Sequence, residues 1–97
     1  MTGEANLPSL EDIVAALKQT LTETEGFQRA AGEIDAEGSL LEGGLDLDSI
    51  TIVALISRIE ARFEFQFADT DLRTRSFTSL RALAQVVLRR LSDRTAA

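Results

Sequence analysis

Apolar residues recur at helical spacing in three stretches of this chain. Leu10, Ile13, Val14, Leu17 and Leu21 form the first set, which predicts an amphipathic helix opened by a capping pair, Ser9 and Asp12, just after Pro8. Ile52, Leu55, Ile56, Ile59 and Phe63 form the second, on one face of a helix running from Ser49 to about Phe63. Leu80, Leu83, Ala84, Val87 and Leu91 form the third, in a last helix expected to begin at Thr78 and to end near Arg89 and Arg90, whose charges suit the negative pole of the dipole.

Between the first two helices the pattern breaks. Gly26 closes the first stripe, and Gly32, Gly38, Gly43 and Gly44 punctuate the chain up to Asp48. A connection this long in a small domain is either functional or tied down by its own side chains. Phe27, Ile34, Leu40, Leu41, Leu45 and Leu47 are the expected tethers, with a short extra helical turn around Phe27 to Ala31. After the second helix, Phe65 and Phe67 alternate with polar residues. A lone strand has nothing to pair with, so the segment reads as an extended connector that buries its rings. Asp69, Thr70 and Asp71 then read as the acidic start of a short helix around Leu72, anchored beyond by Phe77.

None of these helices buries its stripe alone, so they must pack together. The expected fold is all-α: a small four-helix bundle of three long helices and one short one, with a long loop between the first two. A length of 97 residues suits a single domain, 1–97, with residues 1–8 and 92–97 fraying at its ends.

Composition narrows the function. The chain has no cysteine and no histidine, which removes thiol nucleophiles, disulfides, the usual zinc ligand sets and any Ser–His–Asp triad. Asp46 and Asp48 do not make a calcium loop, because Thr51 stands where the loop needs glycine and Ser57 where it needs glutamate. No metal site is expected. The N-terminus lacks a basic segment followed by an apolar one, and no run of apolar residues is long enough to cross a bilayer, so a cytoplasmic protein is expected. The net charge of −6 is unevenly placed: residues 1–50 carry −9 and residues 51–97 carry +3. An acidic surface of this kind repels nucleic acid and anionic lipid and steers basic partners.

One residue remains as candidate chemistry. Ser49 lies in GGLDLDSITIVALI, where a glycine-bearing acidic loop turns into a helix. A helix start exposes unpaired N–H groups and the positive end of the macrodipole, so an anion attached there is stabilised. Asp48 or Ser49 as a simple N-cap explains the same local sequence. With no imidazole base in the chain Ser49 is a weak nucleophile, better suited to being modified by another enzyme than to catalysis.

The string Asp48, Ser49, Ile50 resembles the Asp-Ser-Leu motif of acyl carrier proteins. LLEGGLDLDSI, RIEARFEFQF and the SFTSLRAL segment follow that family's order and spacing over roughly residues 9 to 91. The resemblance implies a freestanding, non-catalytic, monomeric carrier. It implies covalent 4′-phosphopantetheine on Ser49, installed by a phosphopantetheinyl transferase, with Asp48 as the adjacent motif residue. Acyl-loading, ketosynthase or other thioester-processing enzymes would be its partners, with neither nucleic acid nor membrane among them. Many members carry glycine where this chain has Asp46. The mixed charge of the second helix fits polyketide-type or other specialised acyl metabolism better than fatty acid synthesis. An aminoacyl or peptidyl carrier loaded by an adenylating ligase is the alternative within the class. An unmodified helical adaptor is the alternative outside it.

The face of the second helix opposite its core stripe carries Ile50, Ala54, Ser57 and Ala61, small or apolar where exposure predicts charge. Val53, Glu60 and Glu64 border it on one side, and Thr51, Arg58 and Arg62 on the other. This is the expected partner-binding surface.

Overall fold

The computed structural model describes residues 7–24, 27, 29–41 and 43–96, with backbone alone for 94–96. Three α-helices carry the fold: α1 (Leu10–Thr22), α2 (Ser49–Phe63) and α3 (Leu80–Ala96). Three 3-10 turns join them, at Ala31–Glu33, Asp69–Asp71 and Thr74–Phe77, and there is no strand among the described residues.

The start of α1 is the predicted capping box. Ser9 Oγ accepts the Asp12 N–H at 3.0 Å while the Asp12 carboxylate accepts the Ser9 N–H at 3.3 Å. The helix stops at Thr22, where threonine hydroxyls take the last carbonyls: Thr22 bonds to Gln19 at 2.7 Å and Thr24 to Thr20 at 2.9 Å. Gly26, expected to end it, lies outside the described residues.

The core joins all three stripes. Ile13, Val14, Leu17 and Leu21 of α1 meet Leu55 and Ile59 of α2 and Leu80, Leu83, Ala84, Val87 and Leu91 of α3. Helix α1 packs against both other helices and more extensively against α3. Arg62 ties α2 to α1, donating to Thr20 Oγ1 at 2.9 Å and to the Ala16 carbonyl at 3.3 Å. The second stripe is rotated from its expected position: Thr51 joins Leu55 and Ile59 in the buried set, while Ile52, Ile56 and Phe63 flank it half-buried.

The expected short fourth helix is absent. Leu72 instead links two 3-10 turns with φ −99° and ψ 62°, an angle pair that no α-helix continues through. Side chains hold the break open. The Asp71 carboxylate accepts the Ala68 N–H at 2.8 Å, and the Ser76 hydroxyl donates to the Asp71 carbonyl. Helix α3 starts at Leu80 rather than Thr78, because Ser79 Oγ accepts the Ala82 N–H at 2.9 Å and Thr78 turns its hydroxyl back to the Arg75 carbonyl. The extra turn expected around Phe27 to Ala31 is not seen at Phe27, Arg29 or Ala30, with Gln28 outside the described residues; a 3-10 turn forms later, at Ala31–Glu33, after an extended Ala30.

The α1–α2 loop is tethered as its apolar residues predict. Ile34 and Leu40 are buried, and Phe27, Leu41, Leu45 and Leu47 pack half-buried on the core. Backbone bonds add to this, from Leu40 N–H to the Phe77 carbonyl at 3.1 Å and from Arg81 N–H to the Ala36 carbonyl at 3.0 Å. The Arg81 guanidinium also reaches both Glu11 of α1 and Glu37 of the loop. The connector after α2 leaves through a left-handed Glu64 and forms neither helix nor strand over 65–68; its Phe65 and Phe67 rings are half-buried and meet edge to face at 4.8 Å.

Candidate functional site

The loop delivers its chain to α2 through a short backbone clasp. Leu45 N–H bonds to the Ser39 carbonyl at 2.9 Å, Asp46 N–H to Leu41 at 3.0 Å and Leu47 N–H to Leu40 at 3.0 Å. Two positions here are tightly constrained. Gly44 lies so close to Ser39 that a Cβ there would fall 1.9 Å from its carbonyl oxygen. Asp46 has φ 53°, the left-handed region that glycine enters freely and aspartate tolerates better than most residues.

At the helix start, two adjacent residues divide the work. Asp48 is the N-cap, in extended conformation, with its Oδ1 accepting the Thr51 N–H at 2.8 Å and its carbonyl accepting the Ile52 N–H at 2.9 Å. The Thr51 bond to the carboxylate holds the Asp48 carboxyl below the usual carboxylate range, with the nearby Ile50 N–H adding to it. Ser49 is the first helical residue, exposed, with no hydrogen bond to its hydroxyl among the described residues. The cap is thus supplied without Ser49, and the serine hydroxyl stands open to solvent at the positive end of α2.

The face running away from Ser49 is only partly as expected. Ile50 is 80% exposed and Val53 64% exposed, an apolar pair one turn apart beside the serine. Ala54 next to Val53 is half-buried, and Ser57 and Ala61 then continue the exposed face. Glu60 stands apart: it is half-buried, and its carboxylate accepts the Phe67 N–H at 2.9 Å, so it anchors the connector. Thr51 does not border the face, being 7% exposed on the core side. At the far end, a surface cleft of about 450 Å³ between α1 and α2 is lined by Arg58, Ala61 and Arg62 with Thr20 and Glu23.

Sequence patterning did not find Arg81, whose bridges to Glu11 and Glu37 hold the loop against α1 and α3. No local signal marks it, since its partners lie 70 and 44 residues away. No group of three or more acidic, histidine or cysteine side chains suited to a metal occurs among the described residues. No helix among them is long and apolar enough to cross a membrane.

A helical bundle that presents an uncommitted serine at a capped helix start, beside exposed apolar side chains, is built as a carrier domain. The chain belongs to the acyl carrier protein family: the family model described as "Phosphopantetheine attachment site" matches residues 13–87. Members are non-catalytic carriers, and their cofactor is a covalently attached 4′-phosphopantetheine. Among solved structures, the chain is similar to a holo acyl carrier protein from Nitrosomonas europaea, with 26% identity and a TM-score of 0.70, over 81% of this chain and 95% of that one. It is also similar to a carrier protein from Agrobacterium tumefaciens, solved in complex with an engineered Bradyrhizobium japonicum glycine:[carrier protein] ligase and ATP. There the identity is 28% and the TM-score 0.66, over 77% of this chain and 95% of that one. No curated protein sequence matches.

Proposed function

We propose that Ser49 is the attachment residue for 4′-phosphopantetheine and that the protein tethers acyl intermediates for polyketide-type or other specialised biosynthesis in the cytoplasm. The observation that carries this reading is the division between Asp48, which caps α2, and Ser49, whose hydroxyl is exposed and unpartnered among the described residues.

The residues present fit the group. A phosphodiester on Ser49 Oγ would lie at the positive end of the α2 dipole, where a negative charge is stabilised. The Asp48 carboxylate opposes that charge, but its bond to the Thr51 N–H already draws it toward the helix. When bound, the cofactor supplies a terminal thiol on a long flexible arm, to which cargo is joined as a thioester. The chain's own residues do the rest. Leu45 and Leu47 seat the loop on the core, Gly44 and Asp46 shape its exit, and Ile50 and Val53 offer an apolar contact to an enzyme approaching Ser49.

An aminoacyl cargo is the second reading, favoured by the likeness to the carrier protein solved with a glycine:[carrier protein] ligase. Two measurements test the proposal. Peptide mapping of the pantetheinylated protein is expected to place the group on Ser49; a group on Thr51 or Ser57 overturns the site. Incubating the holo-protein with acyl-coenzyme A and an acyltransferase, or with an amino acid, ATP and an adenylating ligase, then shows which thioester forms. Loading only through the ligase overturns the acyl reading in favour of the aminoacyl one.

A further inference from the structure

A cleft of about 350 Å³ lies between the connector of residues 69–77 and the outer side of α3, and no residue of α2 lines it. Arg73 and Arg75 enter it from the connector and Arg89 from α3, with Gln85 and Thr70 as polar neighbours. The guanidinium groups of Arg75 and Arg89 have no hydrogen bond or ion pair among the described residues. That of Arg73 donates to the Thr70 carbonyl at 3.1 Å. The one acid lining the cleft is Asp71, and its charge is already matched: Arg90 grips both carboxylate oxygens, at 2.7 and 3.1 Å, from outside the cleft. Three positive charges therefore face solvent together on a chain whose net charge is −6.

We propose that this cleft binds an acidic polypeptide segment of a partner protein, its carboxylates received by Arg73, Arg75 and Arg89. Guanidinium is the planar fork that matches a carboxylate with two parallel bonds. All three arginines are exposed, so each pair is individually weak, and a single small anion gains little; a segment carrying several carboxylates engages them together. Nucleic acid fits poorly, because no aromatic ring lines the cleft to stack a base. A partner docked here leaves Ser49 and the exposed face of α2 free. The surface therefore holds a carrier near its enzyme while the attachment end is exchanged, and it does not depend on modification of Ser49.

The test is an amide-resolved titration of the ¹⁵N-labelled full chain with a short synthetic Glu/Ser peptide. The expected result is saturable shifts confined to residues 70–76 and 82–89, weakened roughly tenfold in an Arg75→Gln/Arg89→Gln double variant and further by added salt. Ser49→Ala is expected to bind unchanged, which separates this proposal from the reading of Ser49. If the double variant loses its helical circular dichroism, Arg75→Gln alone, on the exposed connector, carries the comparison. Shifts that map elsewhere, unchanged affinity in a folded variant, or no saturable binding overturn the proposal. So does tighter binding of inorganic phosphate or of a single-stranded oligonucleotide at the same residues.

Discussion

The Thr51 N–H donates to the Asp48 carboxylate at 2.8 Å, and this one bond settles which of two adjacent residues caps α2. Asp48→Ala is expected to lower the melting temperature and to fray the first turn, seen as faster amide exchange at Thr51, whereas Asp48→Asn keeps an acceptor in place and loses much less. Ser49→Ala is expected to leave the melting temperature nearly unchanged. A loss comparable to that of Asp48→Ala would show that the serine shares the capping role.

Asp71 gives the fold an acid limit. It is 5% exposed, and the Arg90 guanidinium, followed by the Ala68 N–H, holds its carboxyl below the usual range despite burial pushing the other way. A carboxyl depressed in the folded state contributes stability that is complete above its unfolded value, about pH 4, and is lost as the pH falls through the folded value. Asp71→Ala is expected to destabilise by about 2 kcal/mol at neutral pH, and Asp71→Asn to flatten the acid side of the stability profile. Urea unfolding midpoints of wild type and variants from neutral pH downward check both.

Two loop positions predict opposite responses to the same logic. Gly44→Ala forces a Cβ onto the Ser39 backbone and is expected to cost about 1–3 kcal/mol, with slower modification at Ser49 as the loop shifts. Asp46→Gly relieves a left-handed residue and is expected to be neutral or mildly stabilising, while Asp46→Val, β-branched at φ 53°, is expected to destabilise. Thermal unfolding of the three variants decides the order.

The exposed pair beside the serine separates docking from folding. Ile50→Asp and Val53→Asp are expected to change stability by less than about 0.5 kcal/mol, because neither side chain is buried. Their effect should fall on enzymes that act on the carrier, as a raised KM for modification or loading. Unchanged kinetics in both variants would show that partners contact another face.

The helices were legible because their stripes are local. Ile13 to Leu21 and Leu80 to Leu91 need only a period of about 3.6 residues to be seen, and the Ser9–Asp12 box is visible at a spacing of three. The loop's tethers were legible as apolar residues amid glycine. What patterning misread depends on contacts made across the fold. Thr51 is buried although its type gives no sign of it, and the fourth helix yields to 3-10 turns because Ser76 bonds to the Asp71 carbonyl and Arg90 to its carboxylate instead of the chain extending a helix. Ser49 stood out as a candidate site from the Asp48–Ser49–Ile50 string, but only the geometry shows that Asp48 takes the cap and leaves the hydroxyl open. Arg81 and the arginines of the cleft carry no motif at all; their roles arise from segments distant in sequence.

The central claim is that Ser49 carries the cofactor, and intact mass after incubation with coenzyme A and a broad-specificity phosphopantetheinyl transferase tests it most directly. The account predicts a single pantetheinyl addition to the wild type and none to folded Ser49→Ala. An unmodified wild type that is folded, or a Ser49→Ala variant that is still modified, would contradict it.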